Sequence, residues 1–123
     1  MDNNQCQPFF ARSVIEAVDR LDDIDDYDCI ILDLMIDPNG LPIDEINEFQ
    51  PYFGWAWLRN YVLAKTTTEE RIKIMSKTII FSKYTDELVY SKWKGELGSI
   101  RLVSKGNGKA LKELEGELKK ILK

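Results

Sequence analysis

The chain has 123 residues, 44% of them hydrophobic and 31% charged, which suits one domain built around one buried core. Its net charge of −4 argues against nucleic-acid binding by phosphate neutralisation, and no apolar run approaches the ~18 residues of a membrane helix. The absence of histidine removes histidine-based triads and most zinc sites.

The N-terminus is polar, with no basic segment leading into an apolar one, so no signal peptide is expected. Pro8-Phe9-Phe10-Ala11 fits the end of a strand. Ser13 and Glu16 form a capping box ahead of Val14, Ala17, Val18 and Leu21, which recur at helical spacing. That helix should end in the acidic stretch from Asp22 to Asp28, read as a solvated loop in preference to a calcium site. Cys29 to Ile36 is a short, nearly continuous apolar run, the pattern of a strand buried on both faces, and Pro38-Asn39-Gly40 closes it. Cys29 reads as a small buried hydrophobe; a disulfide with Cys6 is disfavoured, and a reducing, cytoplasmic compartment is expected.

Residues 41–54 read as an irregular loop, and Trp55, Leu58 and Val62 as a helix. Thr66 to Glu70 suits a helix cap, although Ile72 and Ile74 also alternate as in a strand. Thr78-Ile79-Ile80-Phe81 is a second buried strand ending at Ser82, and Asp86 to Trp93 a helix followed by Gly95 or Gly98. Ile100 to Val103 is a third strand, ending at Ser104-Lys105. The last helix is the plainest element, with Leu111, Leu114, Leu118, Ile121 and Leu122 on one stripe. Its basic end, Lys119, Lys120 and Lys123, complements the helix dipole without requiring a ligand.

Short apolar strands alternating with helices imply a parallel sheet, and in open sheets chemistry gathers beyond the carboxyl ends of the strands. Asp33, Ser82 and Lys105 each fall at such an end. A carboxylate in an apolar strand requires a partner. With Lys105 as counter-charge and a hydroxyl between them, the trio suits a phosphoryl site: a carboxylate nucleophile, with a hydroxyl and a lysine on the phosphoryl oxygens. The plainer alternative is a structural ion pair beside a capping serine.

The run Asp28-Cys29-Ile30-Ile31-Leu32-Asp33-Leu34-Met35-Ile36-Asp37-Pro38 resembles the third strand of receiver domains of two-component response regulators. Thr78 to Ser82 resembles their fourth strand, which ends in a switch hydroxyl, and Leu102 to Lys105 their fifth, which ends in a lysine. Ala11 to Val18 resembles the end of their second strand and the following helix, so the resemblance spans most of residues 9–122. It implies one domain over residues 1–123 with a three-layer α/β/α, flavodoxin-like fold and a small, mostly parallel sheet lacking the family's first strand and helix. It further implies Asp33 as phosphoacceptor, Ser82 as switch hydroxyl and Lys105 as phosphate-binding lysine. Mg²⁺ would be held by Asp33 and the Met35 backbone carbonyl, and a histidine kinase would be the phosphoryl donor.

Two departures qualify this. No acidic pair at a strand end precedes Asp33, which leaves a Mg²⁺ site short of oxygen ligands, with Asp37 as the nearest substitute. The stretch between Asp33 and Ser82 also carries an insertion centred on residues 39–53. It leads into Phe49, Tyr52, Phe53, Trp55, Trp57 and Tyr61, which suit either core packing or a partner surface. The expected function is therefore a degenerate receiver-like interaction module and not an enzyme; the alternative is an active phosphoacceptor with a rebuilt metal site. A third reading, an aspartate-nucleophile phosphohydrolase of the haloacid-dehalogenase type, needs an acid–base residue at position 35, where this chain has Met35. Losing a central first strand would leave one side of strand 29–36 unpaired. Pro8–Ala11 could fill that side by a short route, the insertion could cover it, or a second chain could supply the contact; a homodimer or protein partner is expected, near the N-terminal segment or near Trp55 and Trp57.

Overall fold

The computed structural model describes residues 8–9, 13–19, 27–98, 100–106 and 108–122. Cys6, Phe10, Ala11 and the acidic residues Asp22, Asp23, Asp25 and Asp26 lie outside these, so the disulfide and calcium readings are not addressed by it.

Four strands form one sheet in the order β1 (Pro8–Phe9), β2 (Cys29–Leu32), β3 (Thr78–Ser82) and β4 (Arg101–Ser104), and every pairing is parallel. Parallel neighbours require crossovers, and helical segments supply them. The first is α1 (Val14–Asp19), where the Ser13 hydroxyl accepts from the Glu16 N–H at 3.2 Å as the capping pattern predicts. The second crossover is long: α2 (Ile43–Phe49), α3 (Phe53–Trp57), a π-helical turn (Leu58–Val62), a 3₁₀ turn (Leu63–Lys65) and α4 (Thr68–Ser76). Both bonds of a Thr67–Glu70 capping box start α4, which settles the helix-or-strand ambiguity there: Ile74 is buried and Ile72 exposed. The third crossover is α5 (Thr85–Val89) with a 3₁₀ turn (Lys94–Glu96), and α6 (Ala110–Ile121) follows β4.

The register assigns the two faces of the sheet. Ile30, Leu32 and Ile80 point one way, into a cluster with Val14 and Ala17 of α1, Trp55 and Trp57 of α3, Ile74 of α4 and Leu88 of α5. Ile31, Ile79, Arg101 and Val103 point the other way. Arg101 meets Glu117 of α6 at 3.2 Å, which places α6 over that second face. The result is an α/β/α sandwich around a small parallel sheet, as the alternation of elements predicts.

Three expectations are corrected. The strand expected over 29–36 ends at Leu32; Leu34 and Ile36 stay buried in irregular backbone, and that alternation is what mimics a longer strand. The segment read as an irregular loop contains α2, whose Ile43, Ile46 and Phe49 recur at helical spacing behind Pro42. The side of strand 29–32 expected to lack a ladder partner is occupied by β1 of the same chain, with Pro8 opposite Cys29 and Phe9 opposite Ile30. A proline at the first position of an edge strand sacrifices no ladder bond, which is why this short route works.

Candidate functional site

The carboxyl ends of β2, β3 and β4 converge on a cavity of about 230 Å³ lined by Asp33, Met35, Ser82, Lys83, Tyr84 and Lys105. Asp33 is the first residue past β2, Ser82 the last of β3 and Lys105 the first past β4. Parallel strands in register bring these three ends to one edge. The Lys105 N–H donates to the Ser82 carbonyl at 3.0 Å, extending the ladder by one step and fixing where the lysine leaves the sheet.

The Lys105 ammonium donates to Asp33 Oδ2 at 2.7 Å, and the Met35 N–H donates to Asp33 Oδ1 at 3.0 Å. Burial pushes the Asp33 carboxyl up. The Lys105 and Met35 hydrogen bonds, the Lys105 charge and the Ser82 hydroxyl outweigh it and hold the group below its ordinary value. Asp33 is therefore a carboxylate at neutral pH, half-buried and open to the cavity. The Ser82 side chain is buried, and its oxygen also accepts from the Tyr84 N–H at 3.3 Å. The Lys105 ammonium lies 5.1 Å from the Phe81 ring centre, a cation–π contact that steadies it from behind.

The Asp33 loop is held by α3. The Gly54 N–H donates to the Leu34 carbonyl at 3.0 Å. A Cβ at position 54 would overlap the Asp33 carbonyl oxygen, so only glycine permits α3 to approach this closely.

Among the residues expected at the site, Asp33, Met35, Ser82 and Lys105 come together and Asp37 does not. The Asp37 carboxylate accepts from the Asn39 N–H at 2.9 Å, and its carbonyl accepts from the Val14 N–H at 2.9 Å, beside a parallel bridge to Ser13. It serves the turn and the start of α1. Asp28 lies at the opposite end of β2, about 16 Å away at strand rise. Among the described residues no group of three or more acidic or cysteine side chains is placed to share a metal ion. Among the described residues Asp33 is the one carboxylate lining the cavity, and both of its oxygens already accept hydrogen bonds. This donor set does not fit Mg²⁺, which wants several oxygens in octahedral geometry.

Lys83 and Tyr84 also line the cavity and were missed. The available signal was adjacency: they are the two residues after the strand-ending Ser82. The aromatic group is resolved in favour of packing, since Phe49, Phe53, Trp55 and Trp57 are buried and Tyr52 and Tyr61 pack against the same cluster. Phe49 stacks on Trp93 at 4.5 Å, and the Arg59 guanidinium lies 4.8 Å from the Trp93 ring while its Nε donates to Glu96 at 2.7 Å. Trp55 and Trp57 therefore offer no surface to a partner in this fold.

Comparison with protein-family models, with curated proteins and with solved structures returns no match. No described helix is long and apolar enough to cross a membrane.

Proposed function

We propose that the chain is a receiver-like signalling module that acts mainly through protein contacts, with Asp33 in the place of the phosphoacceptor but poorly equipped for the transfer. The observation that carries this reading is the 2.7 Å Lys105–Asp33 pair inside a cavity that also takes in Ser82. In the corresponding reaction an Asp33 oxygen bonds to phosphorus, and the bond from phosphorus to the donor's leaving atom breaks, an imidazole nitrogen for a phosphohistidine or a carboxylate oxygen for acetyl phosphate. Lys105 and Ser82 would balance charge on the phosphoryl oxygens. The ionised state of Asp33 favours the alternative, an active acceptor; the single carboxylate favours a weak one. Met35 stands on the cavity wall, where a phosphohydrolase would need an ionisable acid–base group, so an enzyme is not proposed. A homodimer or a different protein partner belongs to this reading, at a surface other than Trp55 and Trp57.

The test is incubation with acetyl phosphate and Mg²⁺, read by intact mass. The expected outcome is a phosphoryl adduct on a small minority of molecules at most. Stoichiometric, Mg²⁺-dependent labelling that disappears in Asp33→Asn would replace this reading with the active phosphoacceptor.

A further inference from the structure

The cavity at the sheet edge holds more positive than negative charge. Lys83 and Lys105 line it against the single carboxylate of Asp33. Asp33 and Lys105 neutralise each other at 2.7 Å. Lys83 is exposed at the rim and has no carboxylate partner among the described residues, so its ammonium is in surplus. Lys105 also has donors to spare, because an ammonium carries three N–H bonds and Asp33 accepts one. A partly enclosed wall of surplus positive charge raises the local concentration of anions. A volume of about 230 Å³ admits a tetrahedral oxyanion with part of its hydration shell. A divalent cation in the same space would meet two lysines and one carboxylate whose oxygens each already accept a hydrogen bond.

We propose that Lys83 supplies the positive charge a divalent cation would otherwise bring, so that the Asp33–Lys105 cavity takes a small tetrahedral oxyanion, phosphate or a phosphoryl group, without a metal. This rests on reading the edge as a phosphoryl-type site, and it adds Lys83 and metal independence to that reading. It also fixes the sign of an effect. Asp33 repels the incoming anion and occupies Lys105, so removing its charge strengthens binding instead of abolishing it.

The test is a titration of the whole chain with inorganic phosphate in EDTA at constant ionic strength, followed by the amide signals of Ser82, Lys83, Tyr84 and Lys105. Saturable shifts in the millimolar range are expected. Lys83→Gln should weaken binding roughly fivefold, the loss of one charge contact at a partly exposed site. Lys83→Arg should retain binding, and Asp33→Asn should tighten it. Because Lys83 is exposed, its variants are expected to melt with the parent, so lost binding would not reflect lost folding. No saturable shift in EDTA, shifts that require Mg²⁺, unchanged binding in Lys83→Gln, or weaker binding in Asp33→Asn would each overturn the proposal. Failure of acetyl phosphate to label Asp33 would bear on the phosphoacceptor chemistry alone and leave this binding result standing.

Discussion

The two faces of the sheet are covered in different ways. On one, α1, α3, α4 and α5 bury a cluster that includes Trp55, Trp57, Phe49, Leu34 and Leu58, all fully inaccessible. On the other, α6 buries only Ala110 of its own residues; Leu114, Leu118 and Ile121 stay half-buried, and Leu111 is 75% exposed. The long second crossover accounts for the difference, since its α2 and α3 add their bulk to the first face. One sheet thus has a side where shape is tightly specified and a side where a helix rests on it with room to adjust. The candidate site lies at the seam: Gly54 ties the Asp33 loop to the tight side, while Lys105 leads through a short turn to α6 on the loose side.

The largest effect expected from this contrast is at Trp55. Replacing it with alanine should cost about 3–5 kcal/mol, the range for deleting a large buried aromatic, and is measured by denaturant unfolding. Trp55→Phe should cost much less. The buried Trp55 Nε1 has no acceptor among the described residues, and removing an unsatisfied donor recovers part of the lost packing. If Trp55→Ala cost no more than about 1 kcal/mol, the aromatic face would not be the tight one. A smaller loss, about 1 kcal/mol, is expected for Leu118→Ala, because a half-buried leucine has less area to lose and the cavity left is open to solvent. Equal losses at the two positions would erase the distinction between the faces.

How much of this could be read from the sequence follows the same division. The ends of β3 and β4 are legible because a short apolar run that stops at a polar residue marks both the strand and its exposed edge, which places Ser82 and Lys105; the end of β2 is not, because Leu34 and Ile36 carry the apolar pattern past Asp33. The tertiary approach of Gly54 to the Asp33 carbonyl was not, since nothing in the run Phe53-Gly54-Trp55 says what lies opposite. Helix α2 is hidden by its mixed composition, since only Ile46 and Phe49 turn to the core while Ile43 is exposed. The partner expected beside strand 29–32 was inferred from a resemblance that counts a missing strand. The chain's own Pro8–Phe9 fills that place, the route that the shortness of the segment and its leading proline disfavour in the sequence.

The smallest effect, and the finest test of the contrast, concerns the ion pair that pins α6 to the sheet. The Arg101 guanidinium meets Glu117 at 3.2 Å and donates to the Ser76 carbonyl, with both charged side chains at least a quarter exposed. Glu117 also binds Lys120 at 3.0 Å, so it keeps a partner when Arg101 is lost. Arg101→Ala should therefore cost only about 0.5–1 kcal/mol, the range of a partly exposed pair. Part of that loss is charge attraction and part is the burial of the arginine stem, whose side chain is only 29% exposed. Salt separates the two. At 1 M ionic strength the Debye length falls to about 3 Å, comparable with the pair distance, so the attraction fades while the packing of the stem remains. The melting difference between Arg101→Ala and the parent should shrink with added salt without vanishing. A loss of about 3 kcal/mol or more, insensitive to salt, would mean that Arg101 is locked as firmly as a buried ion pair, and that the α6 side is as closely specified as the aromatic one.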